Sequence, residues 1–321
     1  MRISAALPAG VTALLFDQVK RRRRFEGRAV EILEERGFSE AILPILDYFE
    51  PYQALVTREL RDELYRFVDR DGELLVLRGD FTPMLARLLA PCLESLELPL
   101  RLFYRGDLVR YQEERPGRLR EYYEIGAELL GVAGQEPEEE VLDLFLRILS
   151  LEGEEIRVIL GFAGALDGLL LAADVDDRSE LARAVARRER RVASAASTAL
   201  LEVVEEGVPV RANDLGSLSA TRLEALQDLC ARLQTRFDPQ KVTLAVDLAE
   251  FAEDFVDGDL VRDAERRSYY DGLVFRAYLG GSAQSIGRGG RYDRLFRRLG
   301  CDLSAVGFSI SVDPMLRGAG S

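Results

Sequence analysis

The side chains in this sequence that can carry chemistry are carboxylates, guanidinium groups and hydroxyls, because histidine is absent from all 321 residues. They gather in four stretches. Leu77-Arg-Gly-Asp-Phe-Thr82 sets Asp80 close before Thr82. The segment from Arg105 to Glu128 holds Arg110, Arg115, Arg118, Arg120, Glu124 and Glu128. Tyr269-Tyr-Asp-Gly-Leu-Val-Phe275 supplies adjacent tyrosines, and Gly289-Gly-Arg-Tyr-Asp293 is followed by Ala305-Val-Gly-Phe308. Guanidinium groups suit phosphate and carboxylate partners, while carboxylates and hydroxyls suit ammonium and ring N–H donors. On residue type alone a plainer reading is open: Glu128 as an ordinary polar strand residue and the tyrosines as core aromatics.

What is missing narrows the chemistry further. Without histidine there is no Ser-His-Asp triad, no Cys-His pair and no histidine-ligated zinc or non-haem iron. Cys92, Cys230 and Cys301 are far apart and form no C-x-x-C pair, which argues against a metal site or a disulfide scaffold and fits a reducing cytoplasm. No metal and no cofactor are expected. The Met1–Phe16 segment lacks a signal-peptide pattern, and no run reaches the ~20 apolar residues of a membrane span. The net charge of −13 disfavours broad contact with nucleic-acid phosphate. The Lys20–Arg24 run sits in a helical pattern and reads as a solvated helix face, with a docking or nucleic-acid patch as the alternative.

Periodicity supplies the elements that must position these groups. Residues 12–36 predict one amphipathic helix, with Leu14, Leu15, Val19, Phe25, Val30, Ile32 and Leu33 on its apolar side and Gly37 ending it. Residues 38–46 predict a strand interrupted by Pro44. Residues 73–77 predict a strand, and 82–89 a helix beginning at Pro83. Residues 99–110 and 122–130 predict the arms of an antiparallel hairpin with a long polar loop, and 137–149 a helix. From about 164 to 239 the composition turns to Ala, Leu, Arg and Glu with helical spacing; strand signals return at 242–246, 273–278 and 306–312. The order implies an α+β core made of residues 1–164 and 240–321, with a helical insertion over 165–239.

Taken together and in order, the four chemical stretches resemble a known family. The Arg105–Glu128 segment resembles motif 2 of class II aminoacyl-tRNA synthetases in its histidyl-tRNA synthetase form. Tyr269–Phe275 resembles that family's histidine-binding signature, Gly289–Asp293 and Ala305–Phe308 the approach to its motif 3, and Leu77–Thr82 its amino-acid-binding loop. The resemblance implies an antiparallel class II sheet flanked by helices and a site that binds free histidine. By resemblance, Asp80, Thr82 and Glu124 surround the amino-acid backbone. Glu128 and Tyr269, with Tyr270 beside it, face the imidazole, and Gly289 and Gly290 admit a close backbone approach.

The departures from the synthetase pattern carry as much information. Adenylation brings a carboxylate up to an α-phosphate, and fixed arginines offset that repulsion. Arg110 matches the motif 2 arginine. Glu265 stands where a second is expected, with Arg266 and Arg267 as alternatives in a shifted register, and Pro314 stands where motif 3 has its arginine. Glu124 replaces a glutamine. The sequence also stops at Ser321, before the place where a synthetase continues into an anticodon-binding domain of about 100 residues.

This combination is similar to the regulatory-subunit family of ATP phosphoribosyltransferase. The resemblance implies no catalytic residues in this chain and no tRNA or membrane partner. It implies a hetero-octamer with the short catalytic subunit, self-dimerisation through about residues 12–46, and histidine feedback on the first step of histidine biosynthesis. Two alternatives remain open on the sequence: a truncated class II ligase that adenylates an amino acid, and a dimeric scaffold with a vestigial pocket.

Overall fold

The computed structural model describes residues 7–112, 119–253 and 270–317. Two sheets organise them. The large sheet has eight strands: β1 (Ser39–Glu40), β5 (Leu100–Val109), β6 (Glu121–Leu130), β7 (Ile156–Phe162), β8 (Val242–Val246), β9 (Leu273–Leu279), β10 (Ser285–Arg291) and β11 (Ala305–Ser311), in the spatial order β1-β5-β6-β11-β10-β9-β7-β8. A small antiparallel sheet orders β2 (Leu46–Tyr48), β4 (Leu74–Leu77) and β3 (Arg66–Val68) as β2-β4-β3. Six strands of the large sheet, from β5 to β7 in spatial order, pair antiparallel. Its two edges differ from the expected pattern, because β1 runs parallel to β5 and β8 parallel to β7. A parallel neighbour needs a long crossover. For β8 the helical stretch that follows β7 provides it.

The central strand β6 shows why the sheet has two unlike faces. Side chains alternate along a strand. Tyr123, Ile125, Ala127 and Leu129 point to the main apolar cluster, while Glu124, Gly126 and Glu128 share the other face. On the apolar side lie α1 (Asp17–Glu35) and, after the short helices α2 (Phe49–Gln53), α3 (Arg58–Glu63) and α4 (Phe81–Leu89), helix α5 (Gln135–Leu149). Phe145 of α5 sits 4.9 Å from Phe275 and 5.4 Å from Phe308, ring centre to ring centre. Helices α6 (Asp167–Ala172), α7 (Arg178–Ala186), α8 (Arg190–Ala196), α9 (Thr198–Glu206) and α10 (Ser217–Gln234) fill the interval between β7 and β8. Their Leu181, Val185, Leu200, Val203, Leu226 and Leu229 join the same apolar cluster. Helices α11 (Asp293–Arg298) and α12 (Val312–Arg317) follow β10 and β11.

Several boundaries depart from expectation for local reasons. Helix α1 begins at Asp17 rather than 12, because Phe16 adopts a positive φ of 51° that a helix does not contain. Leu14 and Leu15 precede it, and the buried stripe is Phe25, Ala29 and Leu33. The Lys20–Arg24 run is more engaged than a solvated face: Arg22 and Arg23 both donate to the buried Glu26 (3.0 and 2.6 Å), and Arg22 lies over the Tyr123 ring. The strand expected over 38–46 splits into β1 and β2. Pro44 has no N–H to give a ladder, and the carbonyls of Leu43 and Pro44 accept from the Arg78 guanidinium at 2.6 and 2.9 Å. Helix α4 starts at Phe81, with Asp80 as its cap accepting from the Thr82 N–H at 3.1 Å.

Gly27 interrupts α1 on an exposed face, and a Cβ there meets nothing within 4 Å. Gly27→Ala is therefore expected to stabilise the fold by about 0.5–1 kcal/mol, read as a rise in the urea midpoint with an unchanged slope.

Candidate functional site

The polar face of the large sheet is built around a buried carboxylate. Glu128 lies near the C-terminal end of β6, opposite Gly307 of β11. Its Oε1 accepts from Thr82 Oγ1 at 2.7 Å and from the Tyr104 hydroxyl at 3.1 Å, and its Oε2 accepts from the Tyr292 hydroxyl. The sequence prepares each donor. Thr82 is delivered by the first turn of α4. Tyr104 comes from β5 and is held by stacking on Phe81, with ring centres 4.4 Å apart. Tyr292 precedes α11. Burial outweighs these hydroxyls and pushes the Glu128 carboxyl up to about 7. Burial, then the neighbouring Glu128, likewise pushes the Tyr104 phenol well above its usual value.

Beside this network lies an open cavity of about 190 Å³. Among the described residues its charged lining is Arg110, Arg288 and Glu124, joined by Tyr122, Ser309, Ser311, Gln284 and Pro314. Asp80 anchors it from behind. Its Oδ2 takes Arg288 Nη2 at 3.0 Å and Arg110 Nη2 at 3.5 Å, its Oδ1 takes the Thr82 N–H, and its carbonyl accepts from the Tyr52 hydroxyl at 2.9 Å. Arg110 Nε also donates to the Gly79 carbonyl at 2.6 Å. Glu124 accepts from Ser309 Oγ at 3.3 Å. Burial raises its carboxyl from the ordinary value, against the lowering pull of Arg110.

The structure thus brings together Asp80 and Thr82 of the Leu77–Thr82 stretch with Arg110, Glu124 and Glu128 of the Arg105–Glu128 stretch. Tyr270 is buried in an apolar group with Val274, Tyr292 and Phe296. Gly290 is needed for packing: a Cβ there would collide with the Leu273 carbonyl and lie 2.9 Å from Tyr270 Cδ1. Gly289 points the other way. A Cβ on it would strike the Phe275 ring and the Gly307 carbonyl, so it serves the close packing of β9, β10 and β11 on the apolar side. Tyr269, Glu265, Arg266, Arg267, Arg115 and Arg118 lie outside the described residues.

The histidyl-tRNA synthetase family model matches residues 10–315. The ATP phosphoribosyltransferase regulatory subunit of Moorella thermoacetica is 31% identical over 98% of this chain and 82% of its own length. That of Symbiobacterium thermophilum is 33% identical over 97% of this chain and 79% of its own. This chain belongs to the histidyl-tRNA synthetase-like family of ATP phosphoribosyltransferase regulatory subunits. The solved regulatory subunit/histidyl-tRNA synthetase from Bacillus halodurans C shares the fold, with a TM-score of 0.79 at 24% identity, covering 99% of this chain and 84% of the other. A histidine–tRNA ligase subunit from Alicyclobacillus acidocaldarius shares it at a TM-score of 0.70 and 23% identity, covering 98% and 97%.

The site includes residues that the sequence does not single out, Tyr122, Ser309 and Ser311 of the cavity lining among them. Tyr104 and Tyr292 serve Glu128, and Arg288 meets Asp80. Arg288 adjoins the Gly289-Gly290 pair and Tyr292 lies two residues beyond it, so the glycine cluster in and around β10 was the available signal. Tyr104 carried none; only the register that sets it beside Gly126 reveals it. Among the described residues no helix is long and apolar enough to cross a membrane, and no group of acidic or cysteine side chains has metal-site geometry.

Proposed function

We propose that this chain is a regulatory subunit without catalysis of its own. It assembles in a hetero-octamer with the short catalytic ATP phosphoribosyltransferase, activates it in the first step of histidine biosynthesis, and senses free histidine through the cavity beside Glu128. The reading places it in the cytoplasm without tRNA, cofactor or metal. The observation that carries it is Pro314 in the cavity wall beside the buried Glu124. Adenylation there would need a further fixed cation where Pro314 stands, and a missing charge donor commonly costs about 2.7–4 kcal/mol of transition-state stabilisation. A free amino acid makes no such demand. It needs an acid for its ammonium, a cation for its carboxylate and polar groups for its ring.

Self-dimerisation through residues 12–46 fits the exposed Ile42, Ile45 and Leu46, an apolar surface that runs on to Tyr48 and Phe67 of the small sheet.

The test is to mix the purified chain with a short-form phosphoribosyltransferase and follow product formation. Formation of a complex, a rise in rate and its suppression by histidine are expected. The same sample is expected to give no amino-acid-dependent pyrophosphate exchange. No complex and no change in rate would refute the regulatory reading, and clear exchange would establish the ligase.

A further inference from the structure

Resting on the reading of this cavity as an amino-acid site, we infer that Arg288 holds the ligand's α-carboxylate and that Glu124, in place of Asp80, takes its α-ammonium. The strand register puts the two charges where one small zwitterion spans them. Arg288 of β10 is paired with Ser309 of β11, and the next residue pair along that face is Ser311 of β11 with Glu124 of β6. Adjacent strands lie ~4.8 Å apart, so Arg288 and Glu124 flank the β11 serines from opposite sides. All four side chains line the cavity.

Asp80 is unsuited to the ammonium. Both its oxygens are engaged, Oδ1 by the Thr82 N–H and Oδ2 by Arg110 and Arg288. One carboxylate between two guanidinium groups leaves a net positive site, and Asp80 is not among the residues that line the cavity. Its part is to brace both arginines. Burial and then the neighbouring Arg288 pull the Arg110 pKa down, although Tyr122, Asp80 and Glu124 carry it above its ordinary value, and an incoming carboxylate relieves the repulsion between the two arginines. A planar guanidinium fork can hold more than one carboxylate oxygen at once. Glu124 has the converse problem. It is buried, its hydroxyl partner is at a long 3.3 Å, and an ammonium against it would repay its desolvation.

Calorimetric titrations with histidine, histidinol (no carboxylate) and imidazolepropionate (no amine) decide this. The unsubstituted chain is expected to bind histidine well above histidinol. Arg288→Ala is expected to weaken histidine by about tenfold to a hundredfold and leave histidinol within about twofold, so that the preference collapses. Arg288→Lys is expected to restore part of it. Glu124→Gln is expected to weaken histidine and histidinol while sparing imidazolepropionate. Circular dichroism monitors folding; if the alanine variant fails to fold, Arg288→Gln, which retains a donor toward Asp80, replaces it. A histidine-to-histidinol preference unchanged in Arg288→Ala overturns the inference and leaves the sensor reading standing. So does Arg288→Ala losing affinity for ATP alone while keeping histidine. No histidine binding to the unsubstituted chain overturns the sensor reading itself, and this inference with it.

Discussion

Glu128→Gln is expected to flatten the dependence of stability on pH between about 4.5 and 7. The parent carboxyl is pushed from 4.5 up to about 7, mainly by burial, so the folded chain holds this proton more tightly than the unfolded chain does. The stability it contributes is complete below about pH 4.5 and is lost as pH rises through about 7, a difference worth about 3 kcal/mol. Glutamine has no charge to desolvate; its Oε1 still accepts from Thr82 and Tyr104, while its amide N–H can donate to the Tyr292 hydroxyl oxygen. The two chains should therefore be closest in stability near pH 5 and diverge toward pH 8, with glutamine the more stable. Glu128→Ala removes the acceptor itself. Thr82 and Tyr104 are 3.2 Å apart and can serve each other, but Tyr292 is left without its carboxylate partner. Losing that buried hydrogen bond costs about 1–3 kcal/mol, on top of the cavity opened. Urea midpoints from pH 5 to 8 measure both, and parallel curves for the parent and Glu128→Gln would remove Glu128 as the titrating group.

The parts of this fold that were readable in the sequence are those where side-chain periodicity and burial agree. Strands β5, β6, β9 and β11 and helix α5 are apolar at the right period and sit close to their expected bounds. The start of α1 was not readable. Leu14 and Leu15 imitate a helical stripe, and only the backbone turn at Phe16 separates them from the helix. The strand expected across Pro44 failed for a reason outside its own segment: Arg78, from beyond β4, claims the carbonyls there.

The site divides in the same way. Asp80, Thr82, Glu124 and Glu128 stand in stretches whose order resembles a family, and the fold gathers them. Which of them faces the cavity is a matter of strand phase and of neighbours supplied by other strands, and neither is written locally. Asp80 looks like a ligand-binding acid in sequence. In three dimensions it caps α4 and ties down two arginines. Arg288, flanked by glycines, looks like strand punctuation and instead faces the cavity.

The glycines across the sheet from Glu128 decide whether that carboxylate can be buried at all, and Gly307→Ala is expected to be the most damaging glycine-to-alanine change among the described residues. Gly307 is paired on one side with Glu128 and on the other with Gly290. A Cβ on it would fall well inside contact distance of Glu128 Oε2 and only 2.6 Å from the Ala127 carbonyl oxygen. The carbonyl belongs to the sheet backbone and has little room to give. The carboxylate is held by three hydroxyls and cannot swing aside without breaking those bonds. Moving β11 instead disturbs Gly290, which is already packed on the Leu273 carbonyl. Overpacking together with a lost buried hydrogen bond should cost about 3 kcal/mol or more, the opposite sign to Gly27→Ala. The chain has no tryptophan, so near-ultraviolet dichroism of its tyrosines and urea denaturation are the suitable measurements. The double variant Gly307→Ala/Glu128→Ala separates this account from general strand damage. With the carboxylate gone the new methyl has space, so the pair should be less destabilised than the two single changes added together, by more than about 1 kcal/mol. Strict additivity would mean that Gly307 matters only through the backbone, and that the room it leaves for Glu128 is incidental.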